Sequence, residues 1–369
     1  MPERKFMERA IELAKLGKGW TAPNPLVGAV IVSDGRIIGE GYHREIGGLH
    51  AERNAFASLK ESAEGAQLYV TLEPCCHHGR TPPCTEAIIE NKISTVIIGS
   101  RDPNPLVSGK GAALLREHGI EVIEDFMRPE CDRLNPFFFH YITTRTPYVT
   151  VKFAETLDGK IASYKGLSQW ITNEESRRYV HSLRGEYSAI LAGIGTVLAD
   201  DPMLNCRLEN AHQPLRVIVD SSLRIPLDSR LCRTAREYRT LVACAAAGKE
   251  KKAALEALGV EVAEVPGADG KVSLKALMSL LGERGISSVL IEGGGEINEA
   301  AFREGIVCRV CAFIAPKILG GAASKTAVEG IGFDSPDSAA ALGDPQITRF
   351  GSDILLQYDV KEAQPCLRE

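Results

Sequence analysis

Apolar residues recur along the first third of the chain at spacings that predict alternating helices and strands. An opening helix is predicted where apolar side chains share one face, at Phe6, Ala10, Leu13 and Ala14. Two apolar runs follow, and the Asp34-Gly35 turn between them predicts a β-hairpin of residues 27–32 and 37–42. Predicted helices near 50–60, 85–90 and 109–118 then alternate with strands near 68–72, 96–99 and 121–123. This alternation is typical of an α/β domain.

The alternation breaks at residues 135–139, where a proline precedes three phenylalanines, and residues 143–147 indicate a linker. A new strand is predicted at residues 148–153. We therefore predict two domains, residues 1–145 and 146–369. The second half repeats the rhythm, with strands near 189–192, 217–219, 240–244, 289–291, 310–314 and 354–358, and helices near 174–183, 249–258, 274–281 and 296–303.

Length and composition agree with two folded domains. The chain has 369 residues, and single hydrophobic cores rarely grow beyond about 250–300 residues. A hydrophobic fraction of 44% and a charged fraction of 25% exclude a disordered chain. The net charge is −5 and neither half has an excess of Lys and Arg, which argues against a nucleic-acid partner.

Membrane association and secretion are not expected. The longest apolar run, residues 241–247, is far shorter than a membrane span, and the N-terminal residues contain no apolar segment of the kind found in signal peptides. We therefore expect a cytoplasmic protein. Its ten cysteines are then interpreted as thiols or metal ligands rather than as disulfides.

A histidine and two cysteines near predicted helix starts form a candidate catalytic zinc site. His50 opens one helix, and Cys75 and Cys84 flank the start of the next. One imidazole with two thiolates suits zinc and leaves a coordination position open. Glu52 lies two residues beyond His50, on a different side of the helix, so it is better placed to carry protons than to bind the metal. This pattern follows the logic of zinc nucleobase deaminases.

The zinc motif leaves alternatives open. A structural zinc knuckle or a pair of buried thiols would use the same residue types. Three further potential ligands lie in the same loop, and spacing alone does not exclude that one of them replaces Cys84: Cys76, His77 and His78.

A glycine run in the second half is a candidate phosphate-binding loop. Glu292-Gly293-Gly294-Gly295 follows a predicted strand and precedes a predicted helix, where backbone amides can approach a pyrophosphate. A tight strand-to-helix turn would have the same composition. The run is not a G-x-G-x-x-G motif, which disfavours a standard Rossmann unit. Residues 193–202 form a second unusual loop that, by itself, indicates a helix-ending turn.

Residues 1–145 resemble the cytidine-deaminase-like, three-layer domain of the bacterial bifunctional riboflavin-biosynthesis deaminase/reductase. The resemblance is carried by residues 23–28, 50–52 and 73–84. The eight-residue gap between Cys75 and Cys84 differs from the two-residue gap of most nucleobase deaminases and is typical of the riboflavin branch. The resemblance implies that His50, Cys75 and Cys84 hold zinc and that Glu52 is the catalytic proton shuttle. It also implies that the pyrimidine and its ribosyl phosphate are bound by Asn24, His43 and Arg80.

The second half resembles the reductase domain of the same family, which has a dihydrofolate-reductase-like fold. The matching residues are Lys152, Asp158-Gly159-Lys160, Ser168-Gln169-Trp170, Arg184, Leu204-Asn205-Cys206-Arg207 and the loops at 193–202 and 292–295. The resemblance implies reduction of a ribosyl chain by NADPH. The implied cofactor-binding residues are Ala154, Trp170, Thr196, Asp200, Ser222, Gly294, Gly295, Glu296, Ile297 and Asn298. The implied substrate-binding residues are Lys152, Ser168, Arg184, Leu204, Arg207 and Glu292.

The sequence therefore predicts an α/β chain with two activities, zinc-dependent deamination of a phosphorylated ribosylaminopyrimidine and its reduction by NADPH. We expect a small-molecule substrate, a homo-oligomer, and Ser221, Ser222 and Arg224 as candidates for binding the 2′-phosphate of the cofactor. Cys308 and Cys311 lie on a predicted strand without further ligands, so a second metal site is not expected. One alternative is a nucleoside or tRNA deaminase with an unrelated C-terminal dinucleotide-binding domain. The other is a non-enzymatic zinc protein that senses a dinucleotide.

Overall fold

The computed structural model describes residues 1–78, 82–104 and 107–361. Contacts within the chain divide it into two compact units, Met1–Thr144 and Arg145–Glu369. Each unit contains a sheet with helices, so the predicted α/β fold class is confirmed. No helix in the described part of the chain is long and apolar enough to cross a bilayer.

The first unit is built on a sheet whose described strands run in the order β2-β1-β3-β4-β5. β1 pairs antiparallel with both β2 and β3, whereas β3, β4 and β5 are parallel. The strands are Gly28–Ser33 (β1), Arg36–Tyr42 (β2), Gln67–Leu72 (β3), Thr95–Ser100 (β4) and Glu121–Ile123 (β5). The helices are Arg4–Lys15 (α1), Ala51–Ala57 (α2), Cys84–Glu90 (α3), Lys110–Glu117 (α4), Arg128–Asp132 (α5) and Pro136–Thr144 (α6).

Alternating strand residues divide the core of this unit between the two faces of the sheet. In β3, Leu68 and Val70 pack with α2, α3 and α4, whereas Tyr69 packs with α1 and α5 on the opposite face. Because successive strand side chains point to opposite faces, continuous apolar strands require a helical layer on each side. The result is the three-layer arrangement that the family resemblance implies.

The second unit contains a nine-stranded sheet, among the described residues, in the order β10-β9-β8-β7-β11-β6-β12-β14-β13. The strands from β10 to β12 in that order are parallel, and β14 and β13 extend the sheet antiparallel. The strands are Tyr148–Thr156 (β6), Ala189–Gly193 (β7), Leu215–Val219 (β8), Thr240–Cys244 (β9), Glu261–Glu264 (β10), Ser288–Ile291 (β11), Val307–Ala315 (β12), Gln346–Phe350 (β13) and Asp353–Asp359 (β14). β11 lies between β6 and β7 although it follows β7 by about 100 residues and β6 by about 140.

Helices connect most of the parallel strands of the second unit. They are Glu174–Glu186 (α7), Ile194–Asp200 (α8), Arg230–Arg233 (α9), Lys249–Ala257 (α10), Leu274–Glu283 (α11) and Gly295–Arg303 (α12), with a short 3₁₀ helix at Pro336–Ser338. The largest apolar cluster of this unit joins the central strands to α11 and α12.

Two predicted irregular segments are helical. Residues 135–139 were expected to break the pattern, and residues 143–144 to start a linker, but both fall largely within α6. Pro136 occupies the first helical position, where the missing N–H costs nothing. The unusual loop at 193–202 contains α8, which ends at Asp201 in the left-handed region. Short elements such as α5, α9, β10 and β13 were not predicted, because their exposed or brief patterns carry little periodic signal.

A glycine in β2 allows α2 to lie close against the sheet. A Cβ added at Gly41 would lie 2.3 Å from the backbone nitrogen of Ala55 and 2.4 Å from the carbonyl oxygen of Ala51. Both atoms belong to the backbone of α2, so a side chain at this position would displace the helix that begins after His50.

We expect Gly41→Ala to lower the free energy of unfolding by roughly 1–3 kcal/mol, because the methyl group overpacks a backbone contact. Chemical denaturation of the zinc-loaded protein measures the change. Gly248→Ala is the control, since an added Cβ at that position would have no neighbouring atom within 4 Å. Equal stability of the two variants would show that α2 does not need the close approach.

Candidate active sites

Three ligand-bearing side chains meet at the ends of two helices and one strand. His50 is the N-cap of α2, Cys75 follows β3, and Cys84 is the first residue of α3. The Nδ1 atom of His50 lies 3.5 Å from Sγ of Cys75 and 3.4 Å from Sγ of Cys84. Within the described part of the chain, these are the side chains that form a potential metal-binding group, with all ligand atoms within 4.8 Å of one another.

The geometry of this group fits zinc. Tetrahedral zinc with typical Zn–N and Zn–S bonds separates an imidazole nitrogen from a thiolate sulfur by about 3.5 Å. Both His50 to cysteine distances agree with this value. Hydrogen bonds from Cys84 and from His50 lower the pKa of the Cys75 thiol to about 4, despite opposing desolvation. A thiolate is the form of cysteine that binds a metal.

Glu52 is the acidic side chain of this site. It is 3% exposed, and burial followed by the nearby Cys75 thiolate raises the pKa of its carboxyl group. Its electrostatic interactions with Cys75, His50 and Cys84 place it beside the ligand group rather than on a solvated face. A buried carboxyl whose pKa is raised is suited to exchanging a proton with a neighbouring group.

Glu73 supports the loop that carries Cys75, and sequence reasoning missed it. Its carboxylate accepts hydrogen bonds from the backbone N–H groups of Gly109, Gly111 and Ala112 at the start of α4. A Cβ at Gly111 would lie 2.1 Å from the carbonyl oxygen of Pro74, so the helix end and the loop are in close contact. Glutamate beside Pro74-Cys75 was part of the motif, but its partners are more than thirty residues away in sequence.

The predicted pyrimidine-binding residues Asn24 and His43 lie together near the ligand group. The His43 ring stands edge-on to the His50 ring, with centroids 5.5 Å apart. Nδ1 of His43 lies 3.0 Å from the Leu49 carbonyl oxygen, so Nδ1 is the protonated nitrogen and Nε2 accepts from Nδ2 of Asn24 at 3.3 Å. Burial lowers the pKa of His43 and favours this neutral form. His43 is itself buried.

Other residues of this region differ in their placement. Arg80 lies outside the described residues. His78 pairs with Glu86 at 3.1 Å on the surface, and neither Cys76 nor His77 joins the described ligand group. Asp102, which sequence reasoning did not select, is buried after β4, the strand next to β3. Burial, and less strongly the negative charge of Glu73, raise the pKa of Asp102 to about 7.

In the second unit, Glu292 lies beside two basic residues that are predicted to bind substrate, Lys152 and Arg184. Its carboxylate accepts two hydrogen bonds from Arg184, Nε at 2.6 Å and Nη2 at 2.9 Å, and lies 3.7 Å from Nζ of Lys152. All three side chains are largely buried. Burial opposes ionisation of Glu292, but the charges and hydrogen bonds of Arg184 and Lys152 outweigh it and lower its pKa.

The segment containing Leu204 and Arg207 is held against the same helix as Arg184. The carbonyl oxygen of Asn205 accepts from Nη1 of Arg184 at 3.1 Å, and the backbone N–H of Arg207 donates to Nδ1 of His181 at 3.3 Å. Burial and then the charges of Arg184 and Arg207 lower the pKa of His181 to about 4. The structure thus brings Lys152, Arg184, Leu204, Arg207 and Glu292 into one region, whereas Ser168 lies in an irregular segment before α7.

The two glycine-containing loops of the second unit contact each other. A Cβ at Gly293 would lie 2.9 Å from Oγ1 of Thr196, and one at Gly193 would lie 2.6 Å from Cγ1 of Ile297. Gly293 and Gly294 have φ values of 152° and 89°, which side-chain-bearing residues rarely adopt. The start of α12 and the start of α8 therefore lie side by side, with backbone N–H groups available at both.

The remaining predicted cofactor residues are more dispersed. Trp170 is 61% exposed, with the Arg177 guanidinium 4.5 Å from its ring centroid. Asp200 ends α8, and Ala154 lies in β6. Ser222 follows β8 in an exposed turn.

Comparison with known proteins shows the class of protein to which the chain belongs. Residues 1–100 match the cytidine and deoxycytidylate deaminase zinc-binding region, and residues 147–356 match the RibD C-terminal domain. The two regions define a bifunctional enzyme that joins a zinc-binding deaminase to a reductase. The chain belongs to the riboflavin biosynthesis protein RibD family.

Individual relatives extend over nearly the whole chain. The riboflavin biosynthesis protein RibD of Actinobacillus pleuropneumoniae is 52% identical over 98% of this chain and 96% of its own length. Acinetobacter baumannii RibD has a similar structure, with a TM-score of 0.87 and 37% identity over 97% of this chain and 98% of that chain. A second similar structure is that of the diaminohydroxyphosphoribosylaminopyrimidine deaminase/5-amino-6-(5-phosphoribosylamino)uracil reductase of Thermotoga maritima. Its TM-score is 0.82 and its sequence identity 40%, over 96% of this chain and 98% of that chain.

These matches confirm the predicted enzyme class and both cofactors. The deaminase domain binds zinc and the reductase domain uses NADPH. The alternative of an unrelated C-terminal domain is excluded by the match over residues 147–356, and the non-enzymatic alternative by the family itself.

We expect Cys84→Ala to lose zinc, because one of three protein ligands is removed. Metal analysis of the purified full-length chain gives the zinc content. Cys76→Ala is the matched control and should retain zinc, since Cys76 lies one residue from Cys75 but outside the described ligand group. Zinc loss in Cys76→Ala with retention in Cys84→Ala would replace Cys84 by Cys76 in the site.

Proposed function

We propose that the chain hydrolytically deaminates 2,5-diamino-6-ribosylamino-4(3H)-pyrimidinone 5′-phosphate and then reduces the ribosyl chain with NADPH to give 5-amino-6-ribitylaminouracil 5′-phosphate. The proposal assigns deamination to residues 1–145 and reduction to residues 146–369. It is supported above all by the meeting of His50, Cys75 and Cys84 beside the buried carboxyl of Glu52. The substrates of the Thermotoga maritima relative agree with this choice.

In the proposed deaminase site, His50, Cys75 and Cys84 hold zinc, and Glu52 carries protons. Zinc, when bound, supplies Lewis acidity for hydrolysis. Glu52 takes a proton from the attacking water and returns it to the departing amine, for which a buried carboxyl of raised pKa is suited.

The base edge would be bound by Asn24 and His43. Because Nδ2 of Asn24 donates to His43, its Oδ1 remains oriented as an acceptor for a ring N–H or exocyclic amine. Arg80, predicted to bind the ribosyl phosphate, lies outside the described residues, and its role stays a prediction.

We expect Glu52→Gln to retain zinc and to lower the deamination rate by about 10²-fold or more, because the proton carrier is removed while the metal ligands remain. Ammonia release measures deamination, and NADPH oxidation with the deaminated intermediate measures reduction in the same preparation. Reduction should be unchanged, which serves as an internal control. Loss of zinc from the variant would make Glu52 structural, and loss of both activities would contradict separate sites.

In the proposed reductase site, the cluster around Glu292 receives the phosphorylated sugar chain. Lys152, Arg184 and Arg207 lie around the single carboxylate of Glu292, where burial lowers the pKa of Lys152. The guanidinium groups of Arg184 and Arg207 suit a phosphate group. Ser168 and Leu204 complete the proposed substrate-binding set. NADPH would supply the hydride that C1′ of the sugar accepts, and polar side chains of the site would orient the sugar and protonate the imine nitrogen.

The cofactor would lie across the loops after β7 and β11. The pyrophosphate suits the adjacent N-terminal ends of α8 and α12, near Thr196 and the 294–298 residues. The proposed set comprises Ala154, Trp170, Thr196, Asp200, Ser222, Gly294, Gly295, Glu296, Ile297 and Asn298. Arg224, together with Ser221 and Ser222, would bind the 2′-phosphate. The Arg224 side chain is 60% exposed. Its Nε lies 3.5 Å from Oδ1 of Asp220, the residue that follows β8.

We expect Arg224→Ala to raise the KM for NADPH by about tenfold, the effect of losing one charge-assisted contact, and to leave the KM for NADH unchanged. Steady-state kinetics with each cofactor at saturating pyrimidine substrate measures both constants. Arg233→Ala, on the neighbouring helix α9, is the control for loss of an exposed charge. An equal rise for NADH would place Arg224 away from the 2′-phosphate.

Several broader predictions accompany this function. We propose a homo-oligomer, supported by large apolar side chains exposed in the second unit, including Ile318 at 69% and Ile331 at 86%. We propose a cytoplasmic location, supported by the described cysteines, whose sulfurs are not joined in disulfides. The small phosphorylated substrate explains why neither half needs the basic surface of a nucleic-acid-binding protein.

A further inference from the structure

Arg216 is a fully buried arginine in the second sheet. It lies in β8 and is 0% exposed. The sequence analysis did not predict this role, since the strand was predicted only near residues 217–219.

Neutral groups from three parts of the chain satisfy the Arg216 guanidinium. Nε donates to Oγ1 of Thr240, and Nη2 donates to the same atom and to the carbonyl oxygens of Leu231 and Tyr238. Nη1 donates to Oγ1 of Thr234 at 2.9 Å and to the carbonyl oxygen of Met203 at 3.2 Å. Arg216 therefore connects the start of β9, the region of α9 and the chain just before Leu204.

Burying a charged side chain costs desolvation free energy, so a buried arginine indicates that its hydrogen-bonding geometry is needed. Burial lowers the pKa of Arg216 to about 10, so the side chain remains protonated at neutral pH. None of its described hydrogen-bond acceptors is a carboxylate. An apolar residue could fill the space, but it could not bind carbonyl oxygens that lie in different directions, as the planar fork of a guanidinium does.

The Met203 carbonyl is the point at which Arg216 reaches the proposed substrate site. Leu204 has a φ of 49°, a left-handed conformation that leucine adopts only where surrounding contacts compensate. Beyond it, the carbonyl oxygen of Asn205 accepts from Arg184, and the N–H of Arg207 donates to His181. The segment of residues 203–207 is thus held by Arg216 at one end, and by α7 and the Gln213 side chain along the rest.

We propose that Arg216 is a positioning residue that fixes the 203–207 segment so that Leu204 and Arg207 face the substrate of the reductase. This inference rests on the proposed reductase function for the consequence in catalysis. The conformational part does not depend on that function, because the contact between Arg216 and Met203 exists within this chain alone.

The test compares wild-type full-length protein with Arg216→Met in two measurements. Amide hydrogen exchange, measured without substrate or NADPH, should become at least tenfold faster in peptides covering residues 203–207. In steady-state kinetics, the KM for the phosphorylated pyrimidine intermediate should rise roughly ten- to hundredfold, because displaced binding groups weaken ground-state and transition-state binding alike. The kcat and the KM for NADPH should change less than threefold, and deamination should be unchanged.

Two further variants separate positioning from general stability. Leu255→Ala removes a fully buried side chain of α10 and is the stability control, for which exchange at 203–207 and the substrate KM should not change. Arg216→Lys keeps the charge but has its donors on one nitrogen, so it should give an intermediate rise in both measurements. The lysine variant carries the test if the methionine variant does not fold.

Distinct results would overturn the inference. Unchanged exchange at 203–207 would show that Arg216 does not hold the segment. Faster exchange with an unchanged substrate KM would show that the held conformation does not matter for binding, and an equal effect of Leu255→Ala would reduce Arg216 to a stabilising residue. Absence of NADPH oxidation by the wild-type protein would instead contradict the proposed reductase function, while hydrogen exchange would still decide whether Arg216 holds the segment.

Discussion

Parallel strand pairing is the constraint on which both candidate sites depend. Neighbouring parallel strands end at the same edge of a sheet, so residues that follow them meet even when they are far apart in sequence. In the first unit this brings Cys75 after β3 near Asp102 after β4. In the second unit, β11 lies between β6 and β7, and Glu292 at its end therefore comes within 3.7 Å of Lys152 from β6. The order of the strands, more than any local motif, brings the side chains of each candidate site together.

The positions of the helices add to this constraint. His50, Cys84 and the start of α12 all lie at helix N-terminal ends, where unpaired N–H groups and the helix dipole favour negative charge. Thiolates and pyrophosphates are both anions, so the same backbone feature serves a zinc site in one unit and a proposed nucleotide site in the other. Gly41 and Gly293 then allow the close backbone approach that each arrangement needs.

The sequence predicted the local part of these sites well and the long-range part poorly. The zinc ligand group could be predicted because His50, Cys75 and Cys84 flank helix starts whose periodicity is clear. The α6 helix was missed because proline suggested a break, although proline suits a first helical turn. The contacts of Glu73 with α4 and of Arg216 with Met203 could not be predicted, since each joins segments whose proximity is decided by packing of the whole sheet.

Two buried glutamates show how the fold gives one residue type two roles. Glu52 is buried beside a thiolate, and its pKa is raised, so its carboxyl can exchange a proton. Glu292 is buried between Arg184 and Lys152, and its pKa is lowered, so it remains a fixed anion that orients cations. Because the two environments push ionisation in opposite directions, Glu52 is suited to exchanging a proton during deamination, whereas Glu292 remains the anion to which Arg184 binds.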